Sequence, residues 1–285
     1  MRLFRWNRGQ GALGCGVGLR DGRRFDVSHL AEDYDEKFFE NGGLGVLHDW
    51  VEEGCRRGVE IVGSLDLLAP VARPSKIVCA GKNYAEHAKE LGGDVPSEPT
   101  LFQKASTTWA SPSGELGLPP KSEASDYEVE LAVILEKRIV HVEPKEVLNV
   151  IAGYTVFCDF SERHYQKECG GQWTKGKSYD GFGPAGPVLV TRDEISDPQN
   201  LRLWTKVNGE LRQEGSTAEM LFSVTKLVSY ISQFMTLLPG DVVATGTPSG
   251  VGMGMDPPQF LKNGDIVELG IDGIGELRQE VIGDI

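Results

Sequence analysis

Short apolar runs closed by glycine or polar turns dominate the chain from about residue 71 onward. KIVCAG, EVELAVILE, IAGYTVFCD, GPVLVTR, LRLWTKVNG, GDVVATG, GDIVELGI and GELRQEVI read as strands. Asn208-Gly209 and Asp272-Gly273 are hairpin signals, because a tight turn needs residues that tolerate positive φ. Helical spacing is confined to NYAEHAKEL, SERHYQKEC, PKEVLNVI and AEMLFSVTKLVSYISQFM. In the last of these, Met220, Val224, Leu227, Val228 and Ile231 fall on one face, which predicts core packing. Strand runs without regular βα alternation predict an α+β, sheet-dominated fold.

Residues 1–70 read as a small separate α/β unit, with the rest of the chain, 71–285, as the main domain. CGVGLRDGRRFDVS predicts two short strands around Asp21-Gly22, and AEDYDEKFFENGGLGVLHDWVEEGCRRG predicts helices broken by a glycine turn. Its glycine runs are read as holding no G-x-G-x-x-G, so a dinucleotide-binding role for this unit is rejected. The prolines of LLAPVARPSK close it.

At 285 residues, 40% hydrophobic and 25% charged, the chain can bury a full core without disulfides. Its formal charge of −13 repels phosphate backbones, so nucleic acid is not an expected partner. Cys15, Cys55, Cys79, Cys158 and Cys169 include no CxxC pair and are expected to be free thiols in a reducing compartment. No apolar run approaches the length of a membrane span, and MRLFRWNRGQ has no apolar signal region, so a cytoplasmic protein is expected.

SDYEVELAVI carries the first candidate chemistry. Residues i and i+2 of a strand share a face, so Glu128 and Glu130 project together, followed by Ala132 and Ile134. Tyr127, Val129, Leu131 and Val133 fill the other face. Two adjacent buried carboxylates need a shared proton, a basic partner or a bound cation. Oxygen ligands without clustered Cys or His suit a hard cation such as Mg²⁺ or Mn²⁺, while an edge strand with solvated glutamates is the plainer alternative. IAGYTVFCDF ends an apolar strand at Asp159, which is either a third carboxylate at a cleft or a helix cap paired with Glu162.

Gly171–Ser178, GQWTKGKS, matches the P-loop string G-x-x-x-x-G-K-[ST]. The phosphate-binding mechanism needs a strand before the string and a helix after it. SERHYQKECG precedes it and YDGFGPAGP follows, so the nucleotide reading is rejected. Lys177 is left as either a surface lysine or a cation near an anionic substrate.

AGKNYAEHAKEL, DYEVELAVIL, GYTVFCDFSERHYQ, WTKGKSYDGFGPAGP, LLPGDVVATGTPSGVGMG and GDIVELGIDGIGELRQEV occur in that order over about residues 70–285. Together they resemble the fumarylacetoacetate hydrolase superfamily. VTRDEISDPQNLRLW and FMTLLPGDV are similar to the branch of 2,4-diketo-3-deoxy-L-fuconate and -rhamnonate hydrolases, whose members carry a short N-terminal domain. The resemblance implies a mixed β-sandwich roll and a homodimer. It also implies that Glu128, Glu130 and Asp159 bind Mg²⁺ or Mn²⁺, and that His87 and Glu90 form a water-activating dyad. Lys177 and Thr247 would contact the substrate's oxyanion or carboxylate, with Gln166, Arg163 and Tyr84 as further substrate contacts. The implied reaction is hydrolysis of a C–C bond in a 2,4-diketo acid, giving pyruvate and a carboxylic acid. Oxaloacetate decarboxylation, ureidoglycolate cleavage and a non-catalytic small-molecule binding module are the alternatives. One departure is visible: Cys158 stands where the family usually has Asn before the metal-binding Asp, which puts the hydrogen bonding around the metal in question.

Overall fold

A computed structural model describes residues 1–283 except Leu91 and Gly93. All eight predicted strands are present, and two large sheets are built from them. The 12-stranded sheet runs, in spatial order, through Thr100–Lys104, Ile77–Gly81, Val242–Ala244, Val129–Leu135, Ile151–Cys158 and Gly183–Thr191. It continues through Arg2–Asn7, Leu13–Gly18, Arg24–Asp26 and Val59–Glu60. A 5-stranded sheet orders Glu210–Ser216, Arg202–Val207, Ile266–Ile271, Gly275–Ile282 and Ser113–Gly117. The hairpins fall at Asn208-Gly209 and Asp272-Gly273, with φ of 53° and 81° at the first pair and 82° at Gly273.

The strand Val129–Leu135 lies inside both layers of the core. Leu131, Val133 and Leu135 pack with Leu203, Val267, Leu269 and Leu277 of the second sheet. Ala132 and Ile134 face the opposite cluster, with Leu3, Phe39, Leu47 and Leu189. The period-2 pattern therefore reads both faces correctly.

Three expectations need correction. Residues 1–70 do not make a sheet of their own: Arg2–Asn7 pairs antiparallel with Gly183–Thr191, and the helices Glu36–Glu40 and Gly43–Glu52 cover the Ala132/Ile134 face. Pairing satisfies an edge that would otherwise be open, so the unit extends the main sheet. Its Gly9–Gly14 stretch does have G-x-G-x-x-G spacing, but it forms the turn joining Arg2–Asn7 to Leu13–Gly18, and no helix follows it to receive a phosphate. Finally, the long amphipathic helix expected from residue 218 is shorter, Val224–Ile231, with Ser223 accepting from the Lys226 amide as its cap. The preceding amides of Leu221 and Phe222 bond instead to the Asn83 carbonyl and side chain. The strand Thr100–Lys104 was not anticipated.

Candidate active site

Neighbouring strands bring the candidate residues to one rim. Val129 lies opposite Cys158, so the next residue, Asp159, meets the residue before Val129, and its amide donates to the Glu128 carbonyl at 2.9 Å. Ala132 lies opposite Ala244, which carries the Thr245–Thr247 turn to Glu130; there the Gly246 amide donates to Glu130 Oε2 at 2.8 Å. Ile77–Gly81 runs parallel to Val242–Ala244 and leads into the helix Ala85–Glu90.

Glu128, Glu130 and Asp159 are buried, and one carboxylate oxygen from each lies within 4.8 Å of the others. Three cations are buried among them. The Lys177 ammonium donates to Glu128 Oε2 at 2.8 Å and to Asp159 Oδ2 at 2.7 Å. Arg163 pairs with Glu128 Oε1 at 2.7 Å and with Asp126. Lys104 donates to Asp159 Oδ1 at 2.5 Å and to the Phe160 carbonyl. Lys177 is thus neither a surface lysine nor part of a phosphate loop. Gly176 before it packs so tightly that a Cβ would lie 2.3 Å from the Glu162 carbonyl oxygen. The glycine of the rejected string lets this short helix approach the Arg163–Lys167 helix.

These charges are not equivalent. Burial alone would raise the Glu128 carboxyl, but Lys177 and Arg163 outweigh it and hold it well below the usual carboxylate range. Burial lowers Lys177, yet Asp159 and Glu128 more than offset this, and its pKa rises. Glu130 has no basic ion-pair partner among the described residues. Burial, then the Asp159 and Glu128 carboxylates, push it well above its ordinary value. A hard divalent cation fits this donor set, because the ligands are all oxygens and Glu130 brings an uncompensated charge.

The helix Ala85–Glu90 places His87 and Glu90 together, with His87 Nδ1 3.1 Å from Glu90 Oε2. Glu90 Oε1 accepts from the Gly250 amide at 2.8 Å, which fixes the carboxylate. A carboxylate at Nδ1 holds the imidazole proton there and leaves the Nε2 lone pair available. His87, Glu128, Glu130, Arg163, Gln166, Lys177 and Thr247 all line one cavity of about 240 Å³, together with Phe102, Trp173, Lys82 and Lys167.

Tyr84 does not join this wall. Its buried hydroxyl has no hydrogen-bond partner among the described residues, and its backbone bridges to Met220. Cys158 lies in the apolar cluster with Val129 and Leu131, and burial pushes its thiol up. Sequence reasoning missed Lys104, Asp126 and Gln213. Asp126 accepts from the Gly252 and Met253 amides and so ties the 250–254 turn to Arg163. Lys104 ends the unanticipated strand, and Gln213 sits in a polar stretch with no local sign of burial. All five cysteines are free. No helix among the described residues is long and apolar enough to cross a membrane.

A model of the fumarylacetoacetate (FAA) hydrolase C-terminal domain matches residues 76–282, and this chain belongs to that family. Among its relatives, the mitochondrial oxaloacetate tautomerase of Homo sapiens is 45% identical over 216 residues, covering 75% of this chain and 69% of the relative. A fumarylacetoacetate hydrolase from Exiguobacterium antarcticum superposes with a TM-score of 0.84 at 36% identity, with 99% of each chain covered. The maleylpyruvate hydrolase of Sphingobium sp. SYK-6, solved with manganese(II) and pyruvate, superposes with a TM-score of 0.82 at 26% identity over 100% of both chains.

Proposed function

We propose that this protein is a divalent-metal-dependent hydrolase that cleaves the C–C bond of a 2,4-diketo acid to give pyruvate and a carboxylic acid. One observation carries the reading: His87, paired with Glu90, lines the same cavity as Glu128 and Glu130, whose carboxylates cluster with that of Asp159. These three carboxylates would hold Mg²⁺ or Mn²⁺, which when bound supplies Lewis-acid polarisation of the keto-acid oxygens. The solved maleylpyruvate hydrolase with manganese and pyruvate supports the pairing of such a metal with such a product.

The chain's own groups supply the rest. His87 Nε2 takes a proton from water, and the Glu90 carboxylate stabilises the imidazolium that forms. The hydroxide attacks the distal carbonyl, and breaking the C–C bond leaves its electron pair on the pyruvate fragment. Lys177, clamped between Glu128 and Asp159, faces that charge as a preorganised cation. Thr247, Gln166 and Arg163 orient the acid.

The test is pyruvate release from acetylpyruvate with Mg²⁺ and with EDTA, in the parent and in His87→Asn. EDTA-sensitive release that His87→Asn abolishes supports the reading; metal-independent release sinks it. The oxaloacetate tautomerase relative favours a second reading, in which His87 moves a proton at C3 of oxaloacetate and no water attacks. Oxaloacetate enol–keto exchange without cleavage of any diketo acid would select it.

A further inference from the structure

Asp126 is fully buried and does not line the cavity, yet its carboxylate reaches both halves of the site. Toward Glu128, Asp126 Oδ2 accepts from Arg163 Nε at 2.8 Å and lies 2.7 Å from Nη2. That grip occupies one edge of the guanidinium. It leaves Nη1 aimed at Glu128 Oε1, 2.7 Å away, and at Gln166 Oε1, 3.1 Å away. Burial opposes the Arg163 charge, and Asp126, then Glu128, outweigh it.

Toward the dyad, the same carboxylate captures a turn. Oδ1 accepts from the Gly252 amide at 2.7 Å, and Oδ2 from the Met253 amide at 3.1 Å. Two residues to either side of Gly252, the turn meets Glu90. The Gly250 amide donates to Glu90 Oε1 at 2.8 Å, and a Cβ on Gly254 would lie 2.3 Å from Glu90 Cγ. The other Glu90 oxygen is the one beside His87 Nδ1. The turn is also pinned from behind, since a Cβ on Gly252 would lie 2.1 Å from the Gln259 carbonyl oxygen. A segment packed this closely moves as one piece, so a shift at Gly252 reaches Glu90.

Capping a turn needs only an acceptor, which asparagine also supplies. Holding the turn amides and the Arg163 donors at once needs acceptors on both sides, which only a carboxylate has. We propose that Asp126 is a positioning residue that sets Glu90 and Arg163 in one register, so that the proton-accepting nitrogen of His87 and the guanidinium that orients the acid are placed together. This deepens the function proposed above and rests on it for the roles of His87 and Arg163.

Asp126→Asn tests the role. Either orientation of the carboxamide sets a donor against an amide of the turn, and both remove the charge that holds Arg163. With acetylpyruvate and Mg²⁺, kcat is expected to fall and KM to rise, each by about 10-fold. In a Glu90→Gln background the same substitution is expected to lower kcat by less than about threefold, because the group it positions is already disabled. Full additivity with Glu90→Gln overturns the proposal. A second readout needs no turnover. The imidazole ¹⁵N shifts of His87, assigned by their loss in His87→Asn, report which nitrogen carries the proton. The parent is expected to show the Nδ1–H tautomer, and Asp126→Asn a mixture with Nε2–H. Should Asp126→Asn fail to fold, Gly254→Ala, at a half-exposed position, presses on Glu90 from the same turn and is expected to shift the same signals. His87 signals untouched by either variant overturn the proposal, even where the parent releases pyruvate. Shifted signals in a protein that releases no pyruvate keep the positioning role and reject the hydrolase reading.

Discussion

Gln213 fixes the polarity of Thr247. Its side-chain oxygen accepts from the Val129 amide at 3.0 Å and from the Thr205 hydroxyl at 2.9 Å. The Val129 N–H can only donate, so the carboxamide nitrogen must face the other way. There its two hydrogens go to Thr247 Oγ1 at 2.8 Å and to the Pro248 carbonyl at 3.0 Å. The Thr247 hydroxyl therefore accepts from Gln213 and keeps its own hydrogen to donate into the cavity. Thr247→Val should lower kcat/KM by about 10- to 100-fold, the worth of a hydrogen bond to a charged acceptor. Gln213→Leu should cost a similar factor, and the double variant little more than either single one, because the two act as a unit. Full additivity in steady-state kinetics would count against the relay.

Glu90 has two partners, and Gln can keep the hydrogen bond from the Gly250 amide while losing the charge beside His87. Glu90→Gln should leave the melting temperature nearly unchanged and lower kcat on the order of 100-fold. An unchanged kcat in the acetylpyruvate assay would remove the dyad from the mechanism.

In metal-free protein, Glu130 is a cost at neutral pH. Its folded pKa lies above the ordinary value of 4.5, so the folded state binds the proton more tightly than the unfolded one. The stability contribution is fully present below about pH 4.5 and is lost as pH rises from there toward the folded value. In EDTA, Glu130→Gln should exceed the parent in melting temperature at about pH 8 and lose that margin at about pH 4. A hundredfold excess of Mg²⁺ over its Kd should stabilise the parent by about 2.7 kcal/mol and the variant far less. A margin independent of pH, read by thermal denaturation, would contradict this account of Glu130.

Gly176→Ala places a methyl against the Glu162 carbonyl and the Gln166 amide, both backbone groups that cannot swing away. The helix carrying Lys177 must then shift. A loss of about 1–3 kcal/mol in urea unfolding is expected, with a parallel fall in kcat/KM. Retention of both would show that the close approach is not needed.

Much of this architecture was legible along the chain because it depends on local periodicity. Alternation at 127–134 placed Glu128 and Glu130 on one face and Val129, Leu131 and Val133 on the other, since strand side chains alternate regardless of context. Asn208-Gly209 marked its hairpin because few residues tolerate the backbone there. The i, i+3 spacing put His87 beside Glu90 on one helix face.

Other features had no local signature. That residues 1–70 join the main sheet depends on an edge supplied by Gly183–Thr191, far along the chain. The expected helix from residue 218 gave way to capture of the Leu221 and Phe222 amides by Asn83, a contact across 139 positions for Phe222. Lys104, Lys177 and Arg163 look like any surface cations in the sequence. Only the fold shows that Glu128, Asp126 and Asp159 draw them into the interior, where burying a charge requires a partner. The sequence by itself determined eight of the strands, the faces of Val129–Leu135, and that Glu128 and Glu130 share one of them. Tertiary structure alone decided which charges cancel inside the cavity, because pairing depends on distance in space and not on spacing along the chain.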